Sequence, residues 1–542
     1  MKELVTGRRA MLGGGALGLG LLGLRPLEGA QAAGAASHAA KAFFNVYDYG
    51  AKGDGKVLDT NAINRAIEVC AAAGGGTVLL PAGNFLSFSI RLKSRVHLLL
   101  AQGATLIAAD SPLPGETQGY GGGRYDEAEP NDGLEPYQDF GHNHWHNSLI
   151  WGEGLEDVSI TGPGLIWGRG LSHGRQVRML GIRFHAEQQG VGNKVIALKN
   201  CRNVWLADFS ILKGGHFGLL LTGVDNLTID NLIIDTERDG MDIDCCRNVR
   251  VSNCAVNSPW DDGICPKSSY ALGYARATEN LTITNCYVSG CWELGTLLDG
   301  RFKRNTDPAY SPRTGRIKMG TESNGGFKNI AISNCVFEGC GGFALESVDG
   351  ALLEDIAITN ITMRDIQNCP VFMRLGARLR GPKASTQTGA LRRVLVSNLT
   401  AYNSDSKQAS IISGIPGFAI EDLKFSNIFL DHQGGIGSEA ARIVIPENEA
   451  QYPDPDRFGE TPSHGFFFRH VRNLEMSHVE VRPGKPDARP AFWLEDVSRC
   501  DFFAITAPRD PAFALHGVTD FRLGWSRAGQ DIALDKADGR ML

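Results

Sequence analysis

From about residue 150 onward the chain alternates apolar and polar residues over short runs, each broken at an Asn, Asp or Arg. Aligned on their first residues, the runs superpose: NVWLADFSI from Asn203, NLTIDNLII from Asn226, NVRVSNCAV from Asn248, NLTITNCYV from Asn280 and NIAISNCVF from Asn329. DIAITNITM from Asp355, RVLVSNLTA from Arg393, DLKFSNIFL from Asp422 and NLEMSHVEV from Asn473 continue the series, and DVSITGPGL from Asp157 is a weaker, earlier copy. A two-residue period over runs this short marks β-strands with one buried face. The closest copies begin 23 and 22 residues apart, and wider spacings are the same unit carrying inserted loops. No helical period separates them. A unit of this size cannot bury its apolar face alone, so the units must stack, which predicts an all-β parallel β-helix.

The breaks carry their own pattern. Five residues after the start of successive copies stand Asn231, Asn253, Asn285, Asn334, Asn360, Asn398 and Asn427. Asn tolerates left-handed backbone and its amide can bond along a stack, so an internal Asn ladder is expected. Cys254, Cys286 and Cys335 stand six residues on, and Cys291 and Cys340 eleven on. Repeated phase predicts small buried ladder residues rather than disulfides. One segment has a helical period instead: DTNAINRAIEVCAAAGGG, with Ala62, Ile63, Ala66, Ile67 and Cys70 on one face, Thr60 as N-cap and Gly74 at the end. Its expected place is over the N-terminal end of the solenoid, where strand edges would otherwise lie open.

Composition narrows the function. A net charge of −6 over 542 residues argues against a nucleic-acid partner. Near the N-terminus, Arg8 and Arg9 precede a short apolar run over 10–24 and then Ala30-Gln31-Ala32. That is the pattern of a twin-arginine signal with a small-residue cleavage site, over 1–32, and predicts an exported, periplasmic or secreted protein. The run is too short to span a bilayer comfortably, so no membrane span is expected in the mature form. The remainder, 42–542, reads as one β-helix domain with inserted loops.

Candidate chemistry appears on a different phase of the repeat. Thirteen residues after four successive starts stand His216, Asp239, Asp261 and Glu293, with Asp262 next to Asp261. Neighbouring coils lie roughly 4.8 Å apart, so acids at one phase form a column. Two carboxylates about 5 Å apart repel by roughly 3 kcal/mol at an effective dielectric near 20. A structural ladder would use Asn, Ser or Thr. Crowding should leave one carboxyl protonated beside ionised neighbours, the equipment for hydrolysing a glycosidic bond. A calcium site on the same acids, or a solvated acidic edge, is the alternative. Asp242 and Asp244 read as residues flanking the site, and His216 as a groove residue or simply a packed one.

At these residues the chain resembles the polygalacturonase-like glycoside hydrolases, family 28. The resemblance begins at FNVYDYGAKGDGKVLDTNAINRAIEVCAAAGGGTVLLPAGNF, an entrance shared with lyases and phage tailspikes. It runs through NSLIWGEGLEDVSITGPGLIWGRG and reaches the site at RDGMDID and WDDGICPKSS. It implies a right-handed, pectin-lyase-like β-helix and an inverting hydrolase of pectic chains, needing no metal or cofactor. Matched to the family's motifs, Asp261 is implied as general acid, with Asp239 and Asp262 activating water. The chain departs from the pattern in three places. Glu237 and Arg238 replace the family's Asn-Thr, and GCWELG offers Trp292 and Glu293 where a histidine is usual. The letters RIK occur as Arg316, Ile317 and Lys318, but GTESNGGFKNI resembles the preceding coil, which would put ALES, around Glu346, in the anchor's place.

A polyanionic substrate calls for local positive charge. Residues 301–318 carry six basic residues against one acid, 373–383 add Arg374, Arg378, Arg380 and Lys383, and Lys267 follows the DD pair. Arg316, Lys318, Lys267, His216, Glu293 and Trp292 are therefore the expected substrate contacts, with Trp260 and Trp292 able to stack on sugar faces. Long insertions on one side predict a groove closed toward a pocket, hence attack at chain ends. A calcium-dependent polysaccharide lyase and a non-catalytic glycan-binding solenoid are the competing readings.

Overall fold

The computed structural model describes residues 43–139, 141–172, 188–308, 311, 313–509 and 511–542. The expected signal segment lies outside the described residues.

The repeat copies pair with one another in the register their alignment implies. Val204 is opposite Leu227, Leu227 opposite Val249, Val249 opposite Leu281 and Leu281 opposite Ile330. Ile330, Ile356, Val394, Leu423 and Leu474 continue the column. Each is the second residue of its copy, so the stacking survives every inserted loop. All these pairings are parallel. The interior is filled by alternate residues of each strand: in Phe327–Glu338, Phe327, Ile330, Ile332, Cys335 and Phe337 are buried while Lys328 and Asn329 are not. Each such side chain contributes about 1.5–3 kcal/mol through removal from water.

A second face is built from the strands that follow the turns. Ile90–Arg91, Ile150–Glu153, Lys194–Lys199, Phe217–Thr222, Asp239–Asp244 and Ile264–Lys267 form one parallel sheet. A parallel bridge from Ile264 to Ile317 carries this face on to Lys318–Met319, Phe343–Ser347, Val371–Leu375 and Ser410–Ser413. This face holds the candidate site.

All twelve cysteines are buried and free, as their phase implies. The Asn ladder is present but on the outer surface, which corrects the internal placement. Asn231, Asn253, Asn285, Asn334, Asn360, Asn398 and Asn427 all have φ between 53° and 57° and are exposed. The chain turns a convex corner at each, which directs the side chain outward. Their amides still bond from coil to coil, Asn360 to Asn334 at 3.0 Å, Asn398 to Asn360 at 3.0 Å and Asn427 to Asn398 at 2.7 Å.

Helix α1 spans Thr60–Ala72 and buries the five residues expected. Thr60 is its first residue rather than its cap: Thr60 Oγ1 accepts from the Phe88 N–H at 2.9 Å, and Asp59 precedes the helix. The Asp59 carboxylate instead accepts from the Lys52 and Gly53 N–H groups at 2.6 and 3.0 Å, pinning the preceding loop. The helix packs on the first coils. At the other end, Ile532–Ala537 pairs antiparallel with Val518–Gly524 and Arg540–Met541 antiparallel with Phe513–His516, closing the last coil. Among the described residues no helix is long and apolar enough to cross a membrane.

Candidate active site

Asp239 opens the strand Asp239–Asp244, and the loop one coil on ends at Asp261-Asp262 before Ile264–Lys267. The Gly240 N–H donates to the Asp262 carbonyl at 3.0 Å, which sets Asp239 level with Asp262. Glycine is required there, because a Cβ on Gly240 would sit 2.4 Å from the Gly263 carbonyl oxygen. One oxygen from each of Asp239, Asp261 and Asp262 lies within 4.8 Å of one from each of the others. The three aspartates therefore share one cleft.

Their surroundings differ sharply. Asp262 is buried, with Arg316 Nε donating to Oδ1 at 2.9 Å and Lys318 Nζ to Oδ2 at 2.6 Å. Burial opposes its charge, but Lys318 and Arg316 outweigh it and hold the carboxyl down at about 2. Asp261 is about a quarter exposed, and its Oδ2 accepts from Arg238 Nη2 at 2.7 Å. Its Oδ1 accepts from the Asp262 N–H at 3.1 Å. Asp239 is buried and among the described residues receives no such donor; burial first, then the charges of Asp261 and Asp242, pushes its pKa well up.

The expected pair Arg316 and Lys318 thus reaches the site, as neutralising partners of Asp262. Glu293 and Trp292 do not join the aspartates. Gly263 and Ile264 N–H groups both donate to the Arg316 carbonyl, at 2.8 and 3.2 Å, so the next coil of this face resumes at Arg316 and not at residue 293. The stretch around 291–305 is an excursion, held where Asp235 accepts from the Gly295 and Leu297 N–H groups at 2.7 and 3.3 Å. Glu293 pairs with Lys303 at 2.9 Å. Trp292 lines a separate aromatic cavity of about 500 Å³ with Tyr287, Leu297 and Phe302. His216 also falls one residue out of the counted column, since Phe217 rather than His216 is opposite Asp239. Its ring stacks on Phe217 at 4.2 Å, and burial, with the charge of Arg238, pushes its pKa well down.

Lys267 faces a second group of charges beside the trio. Its Nζ lies 3.0 Å from Glu322 Oε2 and 3.9 Å from Asp242 Oδ2. His142 Nε2 is 2.9 Å from that Asp242 oxygen, and Arg380 bonds both Glu322 and Asp139, at 2.7 and 2.6 Å. Burial disfavours charge on His142, but Glu322 and Asp242 together raise its pKa. Asp244 flanks the site as expected, accepting from the Ser269 N–H and hydroxyl at 2.7 and 2.6 Å. His142, Asp139, Glu322 and Arg238 are the residues the sequence reading missed. Glu346, which the alternative register put in the anchor's place, is fully buried, and among the described residues both its oxygens lack a hydrogen-bond partner; burial pushes it up to about 7 against Lys318 and Arg316.

Among the described residues, several of the basic side chains expected to form a cationic patch are paired with acids. Arg301 pairs with Asp299 at 2.5 Å, Arg304 with Asp365 at 2.7 Å, and Arg378 with Asp349. Arg374 is buried against the Glu447 carbonyl at 2.6 Å. A divalent cation on the aspartate trio fits poorly as well, because Arg238, Arg316 and Lys318 already occupy three of its carboxylate oxygens.

The comparisons agree with this architecture. A family described as "Rhamnogalacturonase A/epimerase, pectate lyase-like" matches residues 43–117, and one described as "Right handed beta helix region" matches residues 194–365. The chain is 25% identical over 347 residues to a Vitis vinifera protein named "Probable polygalacturonase", covering 60% of this chain and 61% of that one. It is 27% identical over 261 residues to the exo-poly-α-D-galacturonosidase of Dickeya chrysanthemi, covering 41% of each. The match thus spans less than two thirds of either relative. The family 28 exopolygalacturonase of Yersinia enterocolitica has the same fold, with a TM-score of 0.56 at 18% identity over 90% of this chain and 79% of that one. The chain is a right-handed parallel β-helix protein, similar in sequence to proteins named as polygalacturonases.

Proposed function

We propose that the protein hydrolyses glycosidic bonds of a pectic poly- or oligosaccharide, of galacturonan or rhamnogalacturonan type, using Asp239, Asp261 and Asp262. The observation that carries this reading is the convergence of three carboxyls, two engaged by cations and one without a donor, in a single cleft. Such a set supplies both a proton for the leaving oxygen and a base for water. The names of the two relatives point to galacturonan.

Inversion rests on the resemblance and on how the anions are held. The oxygens approach within 4.8 Å, closer than the roughly 6.5–9.5 Å usual for an inverting pair, so spacing alone does not argue for it. A carboxylate clamped by guanidinium or ammonium is, however, better suited to orienting water than to forming a covalent bond. Attack at chain ends is supported by loops tied to one another just beyond the ends of the groove strands. Asp139 bonds Arg380, and Tyr452 accepts from the Thr321 hydroxyl at 2.9 Å. Export by the twin-arginine route belongs to the same reading, and Arg8→Lys with Arg9→Lys should leave the protein in the cytoplasmic fraction.

Digestion of defined pectic oligosaccharides, followed by proton NMR of the first anomer released, tests the reaction. An inverted anomer from one chain end is expected. Random mid-chain cuts would remove the chain-end reading, and a retained anomer would remove inversion. An unsaturated, ultraviolet-absorbing product lost in chelator would replace hydrolysis with lyase chemistry.

A further inference from the structure

Resting on that reading, we infer that the aromatic cavity beside Trp292 is a second saccharide site, which takes a neutral sugar unit of the same polysaccharide. Its ligand points to a mixed or branched pectin, rather than plain galacturonan, as the substrate. The cavity starts from a gap in a column. On the strands that precede the groove, the outward-facing residues stack as Ile233, Ala255, Tyr287 and Val336, and the alanine leaves a depression between larger neighbours. The excursion over 291–305 then walls the depression with Trp292, Leu297 and Phe302, enclosing about 500 Å³, ample for a sugar ring. The walls are fixed from behind. The Asn257 amide grips the Trp292 backbone both ways, Nδ2 donating to its carbonyl at 3.1 Å and Oδ1 accepting from its N–H at 3.3 Å. Asn257 is itself held by Asp235 at 2.9 Å. Phe302 is kept at φ 49° by its N–H bond to the Thr296 carbonyl at 3.0 Å. A bulky residue adopts that conformation only at a cost. Packing within the chain does not account for it, since the ring so presented stays about half exposed.

The lining selects the ligand. Aromatic walls suit the apolar C–H face of a sugar ring. The far end is polar: Trp292 Nε1 donates to Tyr287 Oη at 2.8 Å, and Tyr287 Oη donates to Glu338 Oε2 at 2.9 Å. With both protons committed, that end offers acceptor oxygens, which suit hydroxyl groups. It does not suit a carboxylate. Arg304 is shared between Glu338, at 3.6 Å, and Asp365, at 2.7 Å, so one cation stands between two anions and a third would be repelled. A neutral pyranose meets both conditions and a uronate fails the second. The strand Ala255–Asn257 runs on through the loop that carries Asp261 and Asp262, so cavity and cleft lie on adjoining faces of one coil.

The test uses the full chain carrying Asp261→Asn, so that no turnover intervenes, with its tryptophan indoles ¹⁵N-labelled. The resonance lost in Trp292→Phe identifies Trp292. Methyl β-D-galactopyranoside or methyl α-L-rhamnopyranoside should shift that resonance with a Kd of about 1–10 mM, and methyl α-D-galactopyranosiduronate should bind at least about tenfold more weakly. Ala255→Leu fills the depression from the outer side of its strand and leaves the interior untouched; it should weaken the neutral glycoside about tenfold or more. The inference is overturned if neither neutral glycoside gives a saturable shift by about 50 mM. An equal response to the uronide, or to cyclohexanol, overturns it too. In the active protein, Ala255→Leu should raise KM about fivefold on pectin bearing neutral branches and leave KM on homogalacturonan unchanged; an equal effect on both is a further contradiction. A wild-type protein inactive on every pectic substrate, with Trp292 still shifted by a neutral glycoside, would instead retire the hydrolase reading and leave the sugar site standing.

Discussion

The solenoid carries two columns of side chains at the same coil spacing and treats them in opposite ways. On the outer corner, Asn334, Asn360, Asn398 and Asn427 bond amide to carbonyl from coil to coil. An amide both donates and accepts, so the column can extend without adding charge. On the groove face the stacked residues are acids, which only accept when ionised. That column holds three carboxyls over two coils, flanked by Arg238, Arg316 and Lys318 on two members and pushed toward protonation on the third. The neutral column supports the fold at many places for little; the acidic one concentrates opposed charges at one place.

Replacing a groove residue should therefore cost function or a great deal of stability, and replacing a corner residue little of either. The largest effect is expected from Asp261→Asn: loss of about a thousandfold or more in hydrolysis, with an unchanged circular dichroism spectrum. Retained turnover would dissolve the distinction between the columns. Next comes Lys318→Met, which strips one cation from buried Asp262 and should cost about 3–5 kcal/mol in urea unfolding. Adding Asp262→Asn should recover most of that loss, and if it does not, the cost lies elsewhere. Because Asp262 is held near 2, its contribution is present above the ordinary 3.8 and disappears as pH falls toward 2.

Glu346→Gln runs the other way. Burial raises this carboxyl from the ordinary 4.5 to about 7, so its contribution is full below 4.5 and is lost as pH rises through about 7. Above that range the variant should be more stable than wild type by roughly 3 kcal/mol, and at low pH no different. A gain independent of pH would show that Glu346 does not titrate there. The smallest effect is expected at the corner: Asn285→Ala, at φ 55°, should cost about 1 kcal/mol at every pH and leave activity unchanged.

The sequence made the column of second residues, Val204 through Leu474, readable to the residue, because burial imposes a phase that survives loop insertion. Asp239, Asp261 and Asp262 were readable for the same reason: they close one coil and begin the next with no excursion between them. Glu293 was misplaced because counting assumed an unbroken coil where the chain leaves the solenoid and returns at Arg316; the RIK letters themselves were the better guide. His142 and Glu322 lie 100 residues before and 80 after Asp242. They come from loops with no period, so nothing local announces that one ion network holds them. The Asn ladder was found by phase but set on the wrong side, since phase alone does not tell a concave corner from a convex one.

The two ends of the solenoid bear on how copies of this protein meet. Each inner coil pairs its N–H and C=O groups with the coils above and below, so an uncovered rim would offer those groups to another copy as its next coil. Helix α1 roofs one rim, and the reversed strands Ile532–Ala537 and Arg540–Met541 occupy the other. Those closures act as terminators against end-to-end filament growth, so a chain trimmed of its last dozen residues is the one that should polymerise.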